Sequence, residues 1–497
     1  VRFWSAENIR RVTGGSWLRR PDAVGGRGTR EVEGLGTDTR AMCAGRAFLA
    51  LRGARYDGHD FLEQAAAAGS PLLIVDRADA VGAELLRSGN GPAILKASDG
   101  PAALGALAGA YRRTLTGVRV IAVCGANGKT TTSRLIHAIL GTRLRGSASP
   151  RSFNNEIGVP LTILGAKASD QYLVCEVGTN APGETARLGR IVKPDVAVIT
   201  SVGRAHIEFF DSLDAVVRED AAIFADLAPG GVAIVPADEP RLAELLKPVP
   251  HVVGFGTGAC ADLRLTAVEH ARLSDGREGI RFSVNDRSHF EAPLVGEHNA
   301  HNALAAIAVA RRLGLDDALI ARGLLLVAPA DMRLNRRRLA LPDQRGEVEL
   351  LVDCYNANPE SAAAAVRTFA ALSGGAEDGE RRRVLILGDM LELGAQAREC
   401  HVELAGVIER SCRAEMVVTV GPEALHIAES LSRVWPEAEF VMLSELTPEQ
   451  ARRVAGRLKS GDFVLLKGSR GVRLERIVEA IEAGRGAGAS SRVSSVV

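Results

Sequence analysis

The sequence predicts an α/β protein of three successive units, each built on a mostly parallel sheet. Three observations lead there. The chain has 497 residues, and a length of that order divides into roughly two to four hydrophobic cores. Short apolar, β-branched runs alternate with helical patterns, as βα units require. One stretch, Val118 to Leu140, reads as strand, glycine turn and helix. The expected units are 1–113, 114–328 and 329–483, followed by a small polar tail, 484–497, that reads as disordered.

Val118 to Cys124 is a nearly unbroken β-branched run, suited to a strand buried on both faces. Gly125, Ala126, Asn127, Gly128, Lys129 and Thr130 follow, and an apolar-periodic helix is expected from Thr131. Such a turn makes a phosphate cradle. Glycine lets the backbone approach closely, free N–H groups of the first helical turn face the anion, and Lys129 adds a point charge. Thr130 has the hydroxyl that commonly touches magnesium. The longer form of the motif has a glycine where Val123 stands, so this is a shortened cradle, diagnostic of one kind of ATPase. A glycine turn that merely closes a βα unit would leave Lys129 and Thr130 in register unexplained.

Composition narrows the function classes. Hydrophobic content is 46% and charged content 24%, ordinary for a soluble globular protein. The net charge of +1 gives no bulk field to recruit nucleic acid or anionic lipid. Aromatics make up 4%, too few for a base-stacking platform. Seven scattered cysteines without a paired spacing fit reduced thiols rather than a disulfide framework or zinc site. No apolar run is long enough to span a bilayer, and Val1 to Arg11 lacks a signal-peptide core. The expected location is the cytoplasm.

In the first unit, Thr37, Asp38 and Arg40 precede a strand at Ala47 to Leu51, and Asp57 to Phe61 leads into a helix from Leu62 to Ala68. Leu72 to Val75 is another strand, and Ala102 to Arg112 a helix leading into the cradle strand. Asp38 and Arg40 read most simply as a solvated turn with a weak ion pair. In the middle unit, Ser152, Asn154 and Asn155 lie in a polar loop whose amides either position a ligand or bond their own turn. Tyr172 to Gly178 is a strand ending on Glu176, and ligands collect outside the carboxyl ends of parallel strands. His206 follows the strand Val196 to Thr200 as a metal ligand or a loop-packing residue. Asn299 and Asn302 are expected to open a helix from Ala303 to Leu313, as caps or as readers of an adenine edge. The third unit offers strands at Glu347 to Asp353, Val384 to Asp389, Met416 to Val420 and Phe463 to Leu466. Tyr355, Asn356 and Asn358 form a turn, Lys467, Ser469 and Arg470 follow the last strand, and Arg336 to Arg338 reads as a solvated face.

Together these stretches resemble the Mur ligases, ATP-dependent amide-bond formers of peptidoglycan synthesis. The cradle resembles the family's short glycine loop. Ser152 to Pro160, Glu176 to Asn180 with Pro182 to Glu184, Ala205-His206, Tyr355 to Pro359, Gly388 to Gly394 with His401, and Lys467 to Arg470 resemble the member that adds D-alanyl-D-alanine. Asp38 to Arg40 and Asp57 to Phe61 resemble its UDP-substrate domain. The resemblance covers the chain to about residue 482 and implies three domains: a small α/β substrate domain, a central P-loop ATPase domain and a C-terminal Rossmann-like domain.

What the resemblance implies is a cytoplasmic, monomeric ligase that uses ATP and magnesium. It would join D-alanyl-D-alanine to UDP-N-acetylmuramoyl-tripeptide through an acyl phosphate. Lys129, Glu176, His206 and Arg333 would be catalytic. ATP would meet the cradle from Gly125 to Thr131, with Asn299 and Asn302 on the adenine side, Arg333 at the phosphates and Asp353 at the ribose. Thr37, Asp38, Arg40, Ser152, Asn154, Asn155, Tyr355, Asn356, Asn358, Lys467, Ser469 and Arg470 would line the substrate cleft. Thr130, Glu176, His206 and Asp220 would serve the metal ions. The family often has a carbamylated lysine where Asp220 stands, so Asp220 is expected to supply the carboxylate directly, with a bridging water or Glu219 as alternatives and a solvated helix acid as the plain reading. Arg46 replaces a frequent family acid beside the first unit's subsite. The competing readings are a ligase of the same fold with a different amine or a folate substrate, and an ATP-binding cell-wall regulator without catalysis. The Asn154-Asn155 loop and the Tyr355 to Pro359 turn argue against the first; Lys129, Thr130, Glu176 and His206 argue against the second.

Overall fold

Three sheets carry the fold, and strands form where β-branched residues cluster. The computed structural model describes residues 3–21, 32–41, 44–53, 55–88, 91–150, 152–342, 345–374 and 381–483. The tail expected to be disordered, 484–497, lies outside them. The first sheet has five strands in the order Ser16–Arg19, Ala93–Lys96, Leu72–Val75, Ala47–Leu49, Leu35–Gly36. Only its first pair is antiparallel. The third sheet has six: Asn335–Ala340, Glu347–Asp353, Phe463–Lys467, Arg383–Gly388, Met416–Val420, Glu439–Leu443.

The middle sheet has nine strands. Its parallel part runs Val252–Gly256, Val232–Pro236, Val196–Ile199, Arg119–Cys124, Tyr172–Glu176, Gly146–Ala148. Leu263–Arg272 joins this part in parallel, and Glu278–Val284 and Ser288–Ala292 extend it antiparallel. This extension has no counterpart among the expected strands, although Ile280, Phe282 and Val284 alternate inward as a half-buried strand should. The cradle strand lies inside the sheet because Val120 to Val123 expose no surface. Each such side chain contributes about 1.5–3 kcal/mol when fully buried. After that strand the chain first builds Gly146–Ala148 and Tyr172–Glu176 on one side, then crosses to Val196–Ile199 on the other. The cradle therefore sits at a topological switch point, where α/β sheets open a crevice.

Helices cover both faces of the middle sheet. Lys129–Leu140, His298–Arg312 and Asp317–Leu325 pack on one, and Gly100–Arg112, Gly158–Gly165 and Glu184–Val192 on the other. The Gly100–Arg112 helix belongs to two units at once. Its Leu104, Leu107 and Ala108 share a buried cluster with Leu72 and Ile74 of the first sheet and with Val120 and Leu173 of the middle sheet. Among the described residues no helix is long and apolar enough to cross a membrane.

Two expectations are corrected here. Arg336 to Arg338 is part of an antiparallel edge strand, in which Arg337 and Arg338 stay 40% and 67% exposed while Arg336, at 21%, leaves the solvated face. Strand alternation turns Arg336 and Arg338 toward buried Glu349, and Arg337 toward Glu482. Arg336 also reaches Glu278 of the middle sheet. The second concerns the helix expected at Ala303, which begins at His298 instead. Asn299 and Asn302 thus lie within its first turns, and no side chain caps it.

Gly323 lets the helix Asp317–Leu325 lie against the cradle helix, since a Cβ there would meet the main chain of Ile139. Gly323→Ala should overpack this contact and destabilise the middle unit by about 1–3 kcal/mol. Calorimetry should show its melting transition several degrees lower.

Candidate active site

The cradle is fixed from behind and open in front. Gly125 and Gly128 have φ of 114° and 83°, a region that L side chains rarely adopt. A Cβ on Gly125 would stand 2.6 Å from Thr200 Oγ1 and 2.8 Å from the Ser201 carbonyl, and one on Gly128 would overlap Asn302 Oδ1. Behind the loop, Ala126 N–H donates to Ser201 O at 2.9 Å and Asn127 N–H to Ser201 Oγ at 2.9 Å. Thr200 Oγ1 donates to Asn127 O at 2.5 Å. The helix starts at Lys129, earlier than the expected Thr131, and no side chain caps it. Its first N–H groups therefore face the mouth, as an anion site requires. Lys129 Nζ folds back onto the carbonyls of Gly125 and Ala126, at 2.5 and 3.2 Å.

Glu176 ends its strand beside this mouth with 1% exposure. Thr130 Oγ1 donates to Glu176 Oε2 at 2.9 Å, and Asn154 Nδ2 donates to Oε1 at 3.0 Å. Ser152 Oγ stands 3.4 Å from Thr130 Oγ1. Ser149, absent from the expected set, accepts the Glu176 N–H at 2.9 Å. The two adjacent amides thus divide. Asn154 joins the cluster, while Asn155 Oδ1 accepts from Ile157 and Gly158 N–H at 3.2 and 2.9 Å and so shapes its own turn. A hydroxyl and a carboxylate suit a hard cation such as magnesium, which takes few protein ligands and fills its shell with water and phosphate oxygens. Among the described residues no three His, Cys, Asp or Glu side chains converge on a metal position.

Asp220 is buried at 5% exposure. Burial pushes its carboxyl up to about 6, while the Lys129 charge pulls the other way. It is therefore no solvated helix acid. Glu219 is not available as a substitute. Its carboxylate accepts from Gly183 and Thr185 N–H, both at 2.7 Å, and holds the start of the helix Glu184–Val192. His206, in left-handed backbone at φ 56°, puts Nδ1 2.5 Å from Glu392 Oε2 of the third unit.

The remaining expected residues fall into separate groups. Asn302 Nδ2 donates to Asn299 Oδ1 at 2.9 Å, and Asn299 Nδ2 to Val295 O at 2.7 Å; both are buried. Asn302 buttresses Gly128, and neither residue caps the helix. His298, the first residue of the same helix, is held neutral, with burial pushing it down to about 4. From the third unit, Asn358 Nδ2 donates to Asn127 Oδ1 at 2.9 Å. Arg333 stacks 4.4 Å from the Tyr355 ring centre. Lys467 is buried, pairing with Asp353 at 2.7 Å and with the Asn356 carbonyl at 2.9 Å. Ser469 is buried and accepts the Leu391 N–H at 3.0 Å; Arg470 pairs with Glu475 at 3.3 Å. In the first unit Asp38 and Arg40 pair with each other at 2.7 Å, after Thr37 at the end of the Leu35–Gly36 strand. Arg46 donates to the Leu35 carbonyl at 2.5 Å. His401 is structural: its Nε2 accepts from Met390 N–H at 3.0 Å, and Nδ1 lies 2.6 Å from Ala397 O.

A shortened P-loop on a nine-stranded sheet, flanked by two further α/β units, is the architecture of an ATP-dependent ligase of the Mur type. Sequence models of that family match all three units. The Mur ligase family catalytic domain matches 31–112, the Mur ligase middle domain 123–310, and the Mur ligase glutamate ligase domain 337–470. The chain belongs to the Mur ligase family. Within it, the chain is 34% identical to the UDP-N-acetylmuramoyl-tripeptide–D-alanyl-D-alanine ligase of Bacillus subtilis, over 90% of this chain and 93% of that one. It is 32% identical to the ligase of the same name in Escherichia coli, over 91% and 94%. A crystal structure of MurF from Acinetobacter baumannii superposes with TM-score 0.79 at 29% identity, covering 96% of this chain and 99% of that one. MurF from Thermotoga maritima in complex with ADP superposes with TM-score 0.73 at 26% identity, covering 90% and 97%.

Because the folded-state pKa of Asp220 is raised, ionising it opposes folding. The penalty grows as pH rises from about 4 to 6 and is fully present above that. Asp220→Asn should therefore be more stable than the parent at pH 7.5, by at most about 3 kcal/mol, and equally stable below about pH 4. Chemical denaturation at the two pH values measures the difference.

Proposed function

We propose that this chain joins D-alanyl-D-alanine to UDP-N-acetylmuramoyl-tripeptide, forming UDP-N-acetylmuramoyl-pentapeptide, ADP and phosphate in the cytoplasm. The observation that carries the reading is full-length similarity to D-alanyl-D-alanine ligases with the cradle, Glu176 and the Asn154 contact all in place.

The first chemical step brings a peptide carboxylate to the γ-phosphate of ATP. At about 3.5 Å and an effective dielectric near 20, one pair of unit charges repels by roughly 5 kcal/mol. Lys129 answers this by leaving the Gly125 and Ala126 carbonyls for the phosphates, while the open helix start holds the others. Thr130 and Glu176 would hold magnesium, which would supply further neutralising charge there. Arg333, steadied on Tyr355, approaches the phosphates from the third unit. Asp353 and the Asn299–Asn302 pair take the nucleoside, and Thr37, Asp38 and Arg40 take the UDP end. Ser152 and Asn154 hold the tripeptide, on a loop whose turn Asn155 fixes. Tyr355, Asn356 and Asn358 line the closed cleft, with Lys467, Ser469 and Arg470 supporting the dipeptide side. The dipeptide amine then attacks the acyl phosphate and phosphate leaves. Closure of the third unit keeps water from that intermediate. Asp220, beneath the cradle and near His206, provides a built-in carboxylate where relatives use a carbamylated lysine. The enzyme works as a monomer and needs no nucleic acid or membrane.

Phosphate release should require both UDP-tripeptide and D-alanyl-D-alanine. Lys129→Ala should lower it about a thousandfold or more, the equivalent of that roughly 5 kcal/mol. Release without the dipeptide, or an undiminished Lys129→Ala rate, overturns the reading. In carbon-dioxide-free buffer the parent should keep its full rate, and Asp220→Ala should lose about a hundredfold, near 2.7 kcal/mol of transition-state stabilisation. Dependence of the parent on carbon dioxide, or an unimpaired variant, would sink the role given to Asp220.

A further inference from the structure

The geometry points to Arg204 as a positioning residue that couples the nucleotide cradle to closure of the third unit. The inference rests on the ligase reading above. The loop after the strand Val196–Ile199 is tied at its start to the cradle by Thr200 and Ser201. Three residues on, Arg204 crosses into the third unit. Its backbone N–H donates to Glu360 Oε2 at 3.0 Å and its Nε to Glu360 Oε1 at 3.1 Å. Its Nη2 pairs with Glu403 Oε2 at 2.9 Å, and Nη1 lies 3.6 Å from the Cys400 thiol.

These contacts close a ring. Glu360 stands in the first turn of the helix Pro359–Ser373, which is capped by Asn358. Asn358 returns to the cradle by donating to Asn127 Oδ1. The circuit therefore runs Asn127, Ser201, Arg204, Glu360, Asn358 and back. Gly203 leaves room for it, since a Cβ there would stand 2.9 Å from Glu360 Oε2. The same loop is anchored further along. Ile207 is buried in the third unit's core, and Glu208 N–H donates to Glu392 O at 3.1 Å. A cradle displaced by departing product pulls on Asn127 and on the Ser201 bonds, and through them on both attachments of the helix Pro359–Ser373.

Arg204 side-chain exposure of 27%, against 37% and 48% for its partners, makes each pair modest alone. A guanidinium held by two carboxylates, one of which also accepts the residue's own backbone N–H, forms a network, which holds better than isolated surface pairs. Loosened closure has a distinctive chemical consequence. Water reaches the acyl phosphate, its oxygen bonds to the acyl carbon, and the bond from that carbon to the phosphate oxygen breaks. The tripeptide carboxylate is regenerated and phosphate leaves with no dipeptide joined.

The test is the ratio of phosphate released to dipeptide joined, with UDP-tripeptide, ATP and D-alanyl-D-alanine present. The parent should give one phosphate per bond made. Arg204→Met should join dipeptide about tenfold more slowly, equivalent to about 1.4 kcal/mol, with a ratio well above one. Arg204→Lys, which keeps the charge but not the fork, should fall between. Glu360→Gln combined with Glu403→Gln should reproduce the effect, and adding Arg204→Met to that pair should change little further. Partial misfolding lowers the rate but leaves the ratio at one, so it does not mimic the prediction. A ratio of one in Arg204→Met overturns the proposal. Should the parent itself join no dipeptide, the ligase reading fails separately. Small-angle scattering then still judges Arg204: the parent with a non-hydrolysable ATP analogue should stay as compact as the present structure, and Arg204→Met should be larger. Equal dimensions would also overturn it.

Discussion

The glycine loop between the cradle strand and its helix must stay rigid on one side and unsatisfied on the other. Every other feature of the site follows from that asymmetry. Backbone N–H groups attract an anion only if nothing in the protein answers them first. A loop left free on both sides would turn and satisfy itself. Thr200, Ser201 and Asn302 hold its rear by hydrogen bonds and close contact. Lys129, resting on two carbonyls of the same loop, is a cation parked within reach of the position it will serve. Burying Asp220 beneath the loop adds a charge that opposes folding. Such local instability is common where function needs an awkward group.

Much of this was legible because it is local. Strand, turn and helix of the cradle occupy one short stretch, and β-branched runs marked the parallel strands around it. Glu176 could be placed beside the phosphates from topology alone, because it closes a strand at the carboxyl edge of a parallel sheet. What escaped the sequence depends on distant partners. Nothing near His206 announces Glu392, and nothing near Arg204 announces Glu360 and Glu403. Asn127 and Asn358 are equally far apart in the chain. The Leu263–Ala292 extension is less legible because its strands alternate polar with apolar residues and carry no continuous buried run. Asn299 and Asn302 look like helix caps by residue type. The contact of Asn302 with a cradle glycine, and the bond from Asn302 to Asn299, show only when the helix is laid beside the cradle. The adjacent amides Asn154 and Asn155 make the same point: identical residues at neighbouring positions have opposite duties, one toward Glu176 and one toward its own turn.

The protein's two large junctions are built from different materials. The first and middle units share apolar side chains around Leu104 and Leu107. The middle and third units meet mainly through paired charges and amides, among them Arg204 with Glu360, His206 with Glu392 and Asn127 with Asn358. Apolar contact is non-directional and resists separation at any ionic strength. Polar contact is directional, weak pair by pair, and sensitive to salt. The second junction is therefore the one that salt weakens.

The Gly100–Arg112 helix, embedded in both of the first two cores, also decides how the molecule can be taken apart. A protease cut near residue 113 would not liberate a well-behaved N-terminal fragment, because it would strip the shared helix from half of its apolar surroundings. The better place for dissection is the segment joining the middle and third sheets, where the shared interior is small, Ile207 and the half-buried Val295 being the middle unit's contributions to the third core.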